Sequence, residues 1–292
     1  MTVRMPALFF ALSFAAAAQI PSEPPKVLRL VRETIKPGRA AAHEKLGTVL
    51  AHTMARGKYP VNFLALSAVT GDEESWTLES HDSFASVENA DTFIEKAPVL
   101  KWSLGRYEAQ DGEFISARRR MLAAYRKDLS YHGEQLAQTL PKMRYMSVVM
   151  VRLRPSRDAE FSEAVRTVAA AYEKSNSDQP LVIYQVVSGA QSPTFLFFTS
   201  MASLTAMDDA GRRGKALRDA LGEQGGAFVL KTSTEVTASS ESFLFAFNPR
   251  TSYVSKDFAA ADADFWTPKP PPKPATPPLS ANPGATPPPA HP

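Results

Sequence analysis

The stretch MSVVMVRLRPSRDAEFSEAVRTVAAAYEKSNSDQPLVIYQVVSGAQSPTFLFFTS, residues 146–200, decides the fold because it has a counterpart earlier in the chain. Met146–Leu153 is rich in β-branched and apolar residues and stops at Arg154-Pro155-Ser156-Arg157, which reads as a strand entering a turn. Phe161, Ala164, Val168 and Tyr172 then follow at spacings of 3, 4 and 4, one face of a helix. After Pro180, Leu181–Ser188 and Thr194–Ser200 read as two further strands. Residues Lys26–Ser80 repeat this order. Lys26–Ile35 is a strand, Lys36-Pro37-Gly38-Arg39 a turn, and Ala40–Arg56 a helix carrying His43, Leu46, Leu50 and Met54 at the same spacings. Gly57 and Pro60 end that helix. Val61–Thr70 and Ser75–Ser80 are strands around the turn signal Gly71-Asp72.

The match extends further. Asp82 or Ser83 is placed to cap a helix running into the 90s, and a further helical stretch is expected to end at Leu104-Gly105. Arg119–Tyr125 is ambiguous by period alone. Arg120–Tyr125 aligns with the apolar run Ser242–Phe247, and Ser130-Tyr131 with Ser252-Tyr253, so Arg119–Tyr125 is read as a strand. Each half then has the order β-α-β-β-α-β of a ferredoxin-like unit. TFLFF and SFLFAF are apolar on both strand faces, so both faces of their sheet must be covered. Helices cover one face, and the sister unit supplies the other. The predicted fold is α+β: two fused ferredoxin-like repeats, residues 26–135 and 143–256, forming a barrel within one chain.

The chain has 292 residues, 44% hydrophobic, with a net charge of +3 from 33 basic and 30 acidic residues. Mixed charge and one basic cluster, Arg118-Arg119-Arg120, argue against nucleic-acid binding. The chain has no cysteine, which excludes disulfides, thiolate metal sites and a Cys nucleophile. Arg4, the apolar run Ala7–Ala15 and Ala16-Ala17-Ala18 form a signal-peptide pattern over residues 1–18, so an extracytoplasmic protein, periplasmic or secreted, is expected. No later segment is long and apolar enough to span a bilayer. Thr267–Pro292 holds 12 of the 24 prolines and is expected to be an extended, disordered tail.

The two openings, Lys36-Pro37-Gly38-Arg39 and Arg154-Pro155-Ser156-Arg157, resemble those of the dimeric α+β barrel superfamily, with its antibiotic-biosynthesis-monooxygenase-like and NIPSNAP-like domains. The resemblance covers residues 26–254 through pattern, not through a catalytic motif, and extends to exported bacterial proteins without an assigned activity. It implies a barrel of paired sheets and, in some members, a hydrophobic substrate or haem held between sheet and helices. A barrel closed within one chain can be a monomer.

The leading expectation is therefore a small apolar ligand between sheet and helices, without catalysis. His43 on the inner helix face is either a base or haem ligand or a packed histidine, since its counterpart is Phe161. Trp76 is either a pocket floor or core, with Tyr59 and Asn62 nearby. His81 beside Asp82 is a candidate base. A cofactor-independent monooxygenase would need Asn62, Trp76 and His81 at one cavity. In the second half Tyr184 and Gln185 are the ligand-binding candidates, Gln185 standing where the first half has Ala65. No metal site and no phosphate-loop, H-E-x-x-H or G-x-S-x-G motif is read. A scaffold for partner proteins remains an alternative.

Overall fold

The computed structural model describes residues 20–267. The expected signal segment, and the Pro-rich tail from residue 268 onward, lie outside the described residues. The strands are β1 (Val27–Ile35), β2 (Phe63–Ala68), β3 (Glu74–His81), β4 (Ile115–Tyr125), β5 (Tyr145–Leu153), β6 (Val182–Ser188), β7 (Thr194–Met201) and β8 (Thr237–Phe247). The helices are α1 (Ala40–Arg56), α2 (Phe84–Glu95), α3 (Pro98–Asp111), α4 (Gly133–Thr139), α5 (Asp158–Lys174), α6 (Ala210–Val236, kinked at Gly222), α7 (Lys256–Ala260) and α8 (Ala263–Trp266).

All eight strands close into one antiparallel barrel in the order β1-β3-β2-β8-β5-β7-β6-β4. The four strands of each half are adjacent, and the halves meet at two seams, β2–β8 and β4–β6. The halves thus join edge to edge as well as facing each other, which leaves no free edge. Each seam is extended by the same device. The Ser130 hydroxyl accepts from Ile183 N at 2.9 Å while Tyr131 pairs with Leu181; the Ser252 hydroxyl accepts from Ala65 N at 2.9 Å while Tyr253 pairs with Phe63.

Strand alternation sorts the side chains. Leu28, Leu30, Leu66, Trp76, Leu78, Met121, Met146, Val148, Tyr184, Leu196, Phe198 and Phe245 fill the lumen. On the outside, α1, α2 and α3 cover the first half and α5 and α6 the second. Both β-to-α turns need one residue in the left-handed region, and the chain supplies Gly38 (φ 74°) and Ser156 (φ 63°) at matching places.

Two local expectations change, and a third is narrowed to one of its two residues. Ser83, not Asp82, caps α2, accepting from Ser86 N at 3.2 Å. Helix α3 does not end at Leu104-Gly105 but runs to Asp111; Gly105 is exposed, and its cost to the helix is only about 1 kcal/mol. The strand read at Arg119–Tyr125 begins earlier, at Ile115.

The seam between β4 and β6 rests on Gly189, whose φ is 92° and whose missing side chain leaves room for the opposing backbone. A Cβ there would lie 2.0 Å from the Arg120 carbonyl oxygen. Gly71 has a similar φ of 82° with nothing nearby. Gly71→Ala is expected to cost about 1–2 kcal/mol from backbone strain alone. Gly189→Ala is expected to cost about 3 kcal/mol or more, measured by chemical denaturation.

Candidate acid–base site

The register of β1 against β4 sets Glu33 opposite Arg118 on the outer face of the barrel. Asp111, the last residue of α3, and His43, in the first turn of α1, are brought over this pair. Arg118 Nε donates to Glu33 Oε1 at 2.6 Å, and Arg118 Nη2 donates to Asp111 Oδ2. His43 Nδ1 lies 2.8 Å from Asp111 Oδ1, and His43 Nε2 lies 3.6 Å from Glu33 Oε2. Asp111 is fully buried, and Glu33 and His43 nearly so.

The two carboxyls are driven apart. For Glu33, burial and the charge of Asp111 raise the pKa, against Arg118 and His43. For Asp111, burial opposes ionisation, but hydrogen bonding and charge from His43, then Arg118, hold it below the usual range. Tyr107, one turn before Asp111, is raised by burial and by the charges of Glu33 and Asp111. Paired groups whose environments separate their pKa values divide into a fixed anion and a proton carrier. Here the shifts make Asp111 the more readily ionised of the two and Glu33 the more readily protonated. A cavity of about 250 Å³ between the sheet and α1 is lined by Glu33, His43, Leu50, Phe63, Thr77, Tyr107 and Asn248.

The second half has no such site. Phe161, in the place of His43, packs on Phe195 and Phe197 at ring-centroid distances of 4.7 and 6.0 Å. Val151 pairs with Ser240 where Glu33 pairs with Arg118.

The side chains around His43 do not fit a haem ligated there. Nδ1 is bonded to Asp111 and Nε2 faces the Glu33 carboxyl, so neither nitrogen is open to iron. The 250 Å³ cavity also falls below the roughly 300 Å³ at which pockets for drug-sized ligands begin. Glu33, His43 and Asp111 present ligand atoms within 4.8 Å of one another, but the Arg118 guanidinium bonds both carboxyls and stands where a metal cation would be repelled.

Tyr59 and His81 meet in a second network, centred on Glu79 opposite Arg29. Arg29 donates to Glu79 from Nε at 2.5 Å and Nη2 at 3.1 Å, and also to Asp91 on α2. Tyr59 OH donates to Glu79 Oε1. His81 Nδ1 lies 3.2 Å from Ser86 Oγ; its Nε2, 3.7 Å from Glu79 Oε1, has no hydrogen-bond partner. The His81 ring is buried and lines none of the cavities described here.

Trp76 is lumen core, fully buried between Phe243 and Phe245, with Nε1 donating to Glu74 Oε2 at 2.9 Å. Asn62 lies at the opposite rim of the barrel, where it lines a lumen cavity with Tyr184. Asn62, Trp76 and His81 therefore occupy three separate places, and the constellation expected of a monooxygenase built on them does not form. Gln185 points out of the barrel, not into it, and accepts from Arg126 Nη1 at 2.9 Å. The sequence reading missed Glu33, Tyr107, Asp111 and Arg118. The one available signal was an acidic residue, Glu33, on the strand face that also carries Val27, Val31 and Ile35.

No protein-family model matches the chain, and no curated protein matches it. Solved structures do. An anthrone oxidase-like protein superposes with a TM-score of 0.52 at 13% identity, covering 80% of this chain and 96% of its own. A candidate monooxygenase from Fusobacterium nucleatum gives 0.49 at 11% identity, over 77% and 93% of the two chains. A protein named as a candidate chlorite dismutase gives 0.46 at 12%, over 80% and 98%. The likeness is one of fold, the α+β barrel.

The Glu79 network makes stability depend on pH with a definite sign. Burial opposes ionisation of Glu79, but His81, Arg29 and Tyr59 lower its pKa from 4.5 to about 2. A depressed carboxyl binds fewer protons folded than unfolded, so its contribution is present above pH 4.5 and lost as pH falls toward 2. The contribution at neutral pH is about 3 kcal/mol. Urea denaturation across this range should show wild-type stability falling more steeply on acidification than that of Glu79→Gln.

Proposed function

We propose that the protein binds a small molecule between the sheet and α1 and transfers a proton through Glu33 and His43, without a metal or haem at that site. The observation that carries this reading is the His43 imidazole, held by buried Asp111 at 2.8 Å on one side and facing buried Glu33 at 3.6 Å on the other, at the wall of a cavity. Asp111 orients the ring by accepting from Nδ1, so Nε2 is the nitrogen that exchanges a proton with Glu33. With one proton shared between Glu33 and His43, the cluster is neutral: Asp111 balances Arg118. Without that proton it carries one negative charge and acts as a base. Burial moves Glu33 up toward the pH at which a base works, and Arg118 keeps the anionic form accessible.

A carbon acid that gives up a proton here becomes an electron-rich carbanion, and dioxygen is then the natural acceptor of its electrons. This fits a cofactor-independent monooxygenase-like activity, the alternative reading of the sequence, on different residues. The name anthrone oxidase-like of one similar fold suggests an aromatic ketone with an acidic C–H, and the 250 Å³ cavity makes the small 2-indanone the first substrate to test. The two halves are best understood as a duplicated ferredoxin-like unit, of which one copy kept or gained the polar site. The signal-peptide pattern supports an exported protein. Among the described residues no helix is long and apolar enough to cross a membrane.

The test is deuterium exchange at the acidic carbon of 2-indanone held under nitrogen in heavy water, followed by NMR. Wild type should accelerate exchange, with a rate that rises with pH as Glu33 ionises. Glu33→Gln and His43→Gln should each lower it by about 100-fold or more, with circular dichroism unchanged. Exchange at the wild-type rate in both variants would sink the proposal. Dioxygen uptake after admission of air separates an oxygenase from an isomerase.

A further inference from the structure

The barrel lumen is filled unevenly. One end is solid: Trp76 packs on Phe243 and Phe245 at 5.4 and 5.3 Å, and Arg32 lies over Phe243 at 4.8 Å while donating to Glu74 from Nη2 at 2.7 Å. The other end, lined by Leu28, Leu64, Leu78, Met146, Val182 and Phe198, keeps a cavity of about 230 Å³. Both ends of the folded chain close over it. Pro21, Pro24 and Pro25 cross from one side and Phe258 of α7 from the other. The crossing is fastened: Tyr184, itself 2% exposed, donates from its hydroxyl to the Pro25 carbonyl at 2.7 Å. At the rim, Asn62 and Ser80 are exposed and offer uncharged polar groups, and the carboxylate that also lines the cavity, Glu23, is paired with Lys127 at 2.8 Å.

An eight-stranded barrel is just wide enough either to be filled by its own side chains or to hold one small ligand. This barrel does the first at one end and leaves room for the second at the other. An apolar cavity of about 150 Å³ takes benzene. The larger space here accommodates one ring with a short substituent. We infer that the open end of the lumen is a second binding site, separate from the sheet–α1 cavity, for an uncharged single-ring molecule with one hydrogen-bonding group. The ring lies among Leu28, Leu78, Met146 and Phe198, and the polar group meets Asn62 or Ser80 at the rim. The wall residues belong to both halves and to the flanking segments at 21–25 and α7, so ligand binding holds these parts together.

The probe is 4-propylphenol, titrated into the purified protein carrying ¹³C-methyl methionine. Met146 is the one methionine on the cavity wall, whereas Met54 lies on α1 outside the barrel. The Met146 methyl signal, assigned with Met146→Leu, should shift saturably while that of Met54 stays still. Leu78→Phe, which fills the space, should weaken binding at least tenfold, and His43→Gln should bind as wild type. Absence of a saturable Met146 shift up to the probe's solubility overturns the inference, whatever becomes of Leu78→Phe. So does loss of binding in His43→Gln, which would put the probe in the sheet–α1 cavity. Deuterium exchange in Leu78→Phe should match wild type, so this site and the acid–base site fail or stand separately.

Discussion

Closure of the barrel is the constraint on which the rest depends. A four-stranded sheet from either half alone would leave two edges of unpaired N–H and C=O groups and one bare apolar face. Joining β2 to β8 and β4 to β6 removes every edge at once, and the hydroxyls of Ser130 and Ser252 carry the two seams past the last regular strand pair. Closure fixes the register of each strand, and register fixes which side chains meet. Glu33 finds Arg118, and Arg29 finds Glu79, because their backbones are opposed on the outer face. Slipping any of these strands by one residue would send those charges into the lumen.

The two halves of the barrel differ in what lies beneath α1 and α5. Beneath α5, Phe161, Val165, Ile183, Phe195 and Val236 make an apolar layer with no group to satisfy. Beneath α1, His43, Glu33, Asp111 and Arg118 bury four ionisable groups in the corresponding place. Hydrophobic residues of similar volume commonly serve as well as or better than a buried ion network, and the second half shows that this fold accepts them. The polar solution is thus not needed for stability. That is the strongest physical reason to assign it a function, and the neighbouring cavity gives a ligand a way to reach it.

Much of the scaffold could be read from local pattern. Period-two alternation, helical spacings of 3, 4 and 4 and two Pro-containing turns reveal the paired units. Runs apolar on both faces reveal that each sheet needs a second cover. The alignment of Ser130-Tyr131 with Ser252-Tyr253 corresponds to the two seam contacts. The site was less legible for a physical reason. His43 stood out as a polar residue on an apolar helix face, but its partners are separated from it along the chain and meet it through strand register and helix length. Arg118 is hidden in a run of three arginines whose side chains part company: Arg118 to Glu33, Arg120 to Glu108 and Arg119 to the barrel mouth. Asp111 is hidden because α3 buries little besides Leu100 and Asp111 itself, so no apolar stripe announces how far the helix runs.

Alternation on β1 and β3 also explains how one sheet can serve two cavities of opposite character. Leu28 and Leu78 point into the lumen, and Glu33, Thr77 and Glu79 point out toward the helices. The middle of the lumen is apolar, where an unpaired charge would be prohibitive; toward one mouth Arg32 pairs with Glu74, bonded in two places and capped by Trp76, and with Glu241. Proton transfer needs groups whose charge can change, so it belongs on the outer face, where α1 and α3 bring compensating partners. Selection of an uncharged ligand by shape needs a largely apolar wall, and the open end of the lumen provides it, with Glu23 at its edge paired to Lys127. A single backbone layer separates the two environments, and a residue's place, odd or even along the strand, decides which of them it serves.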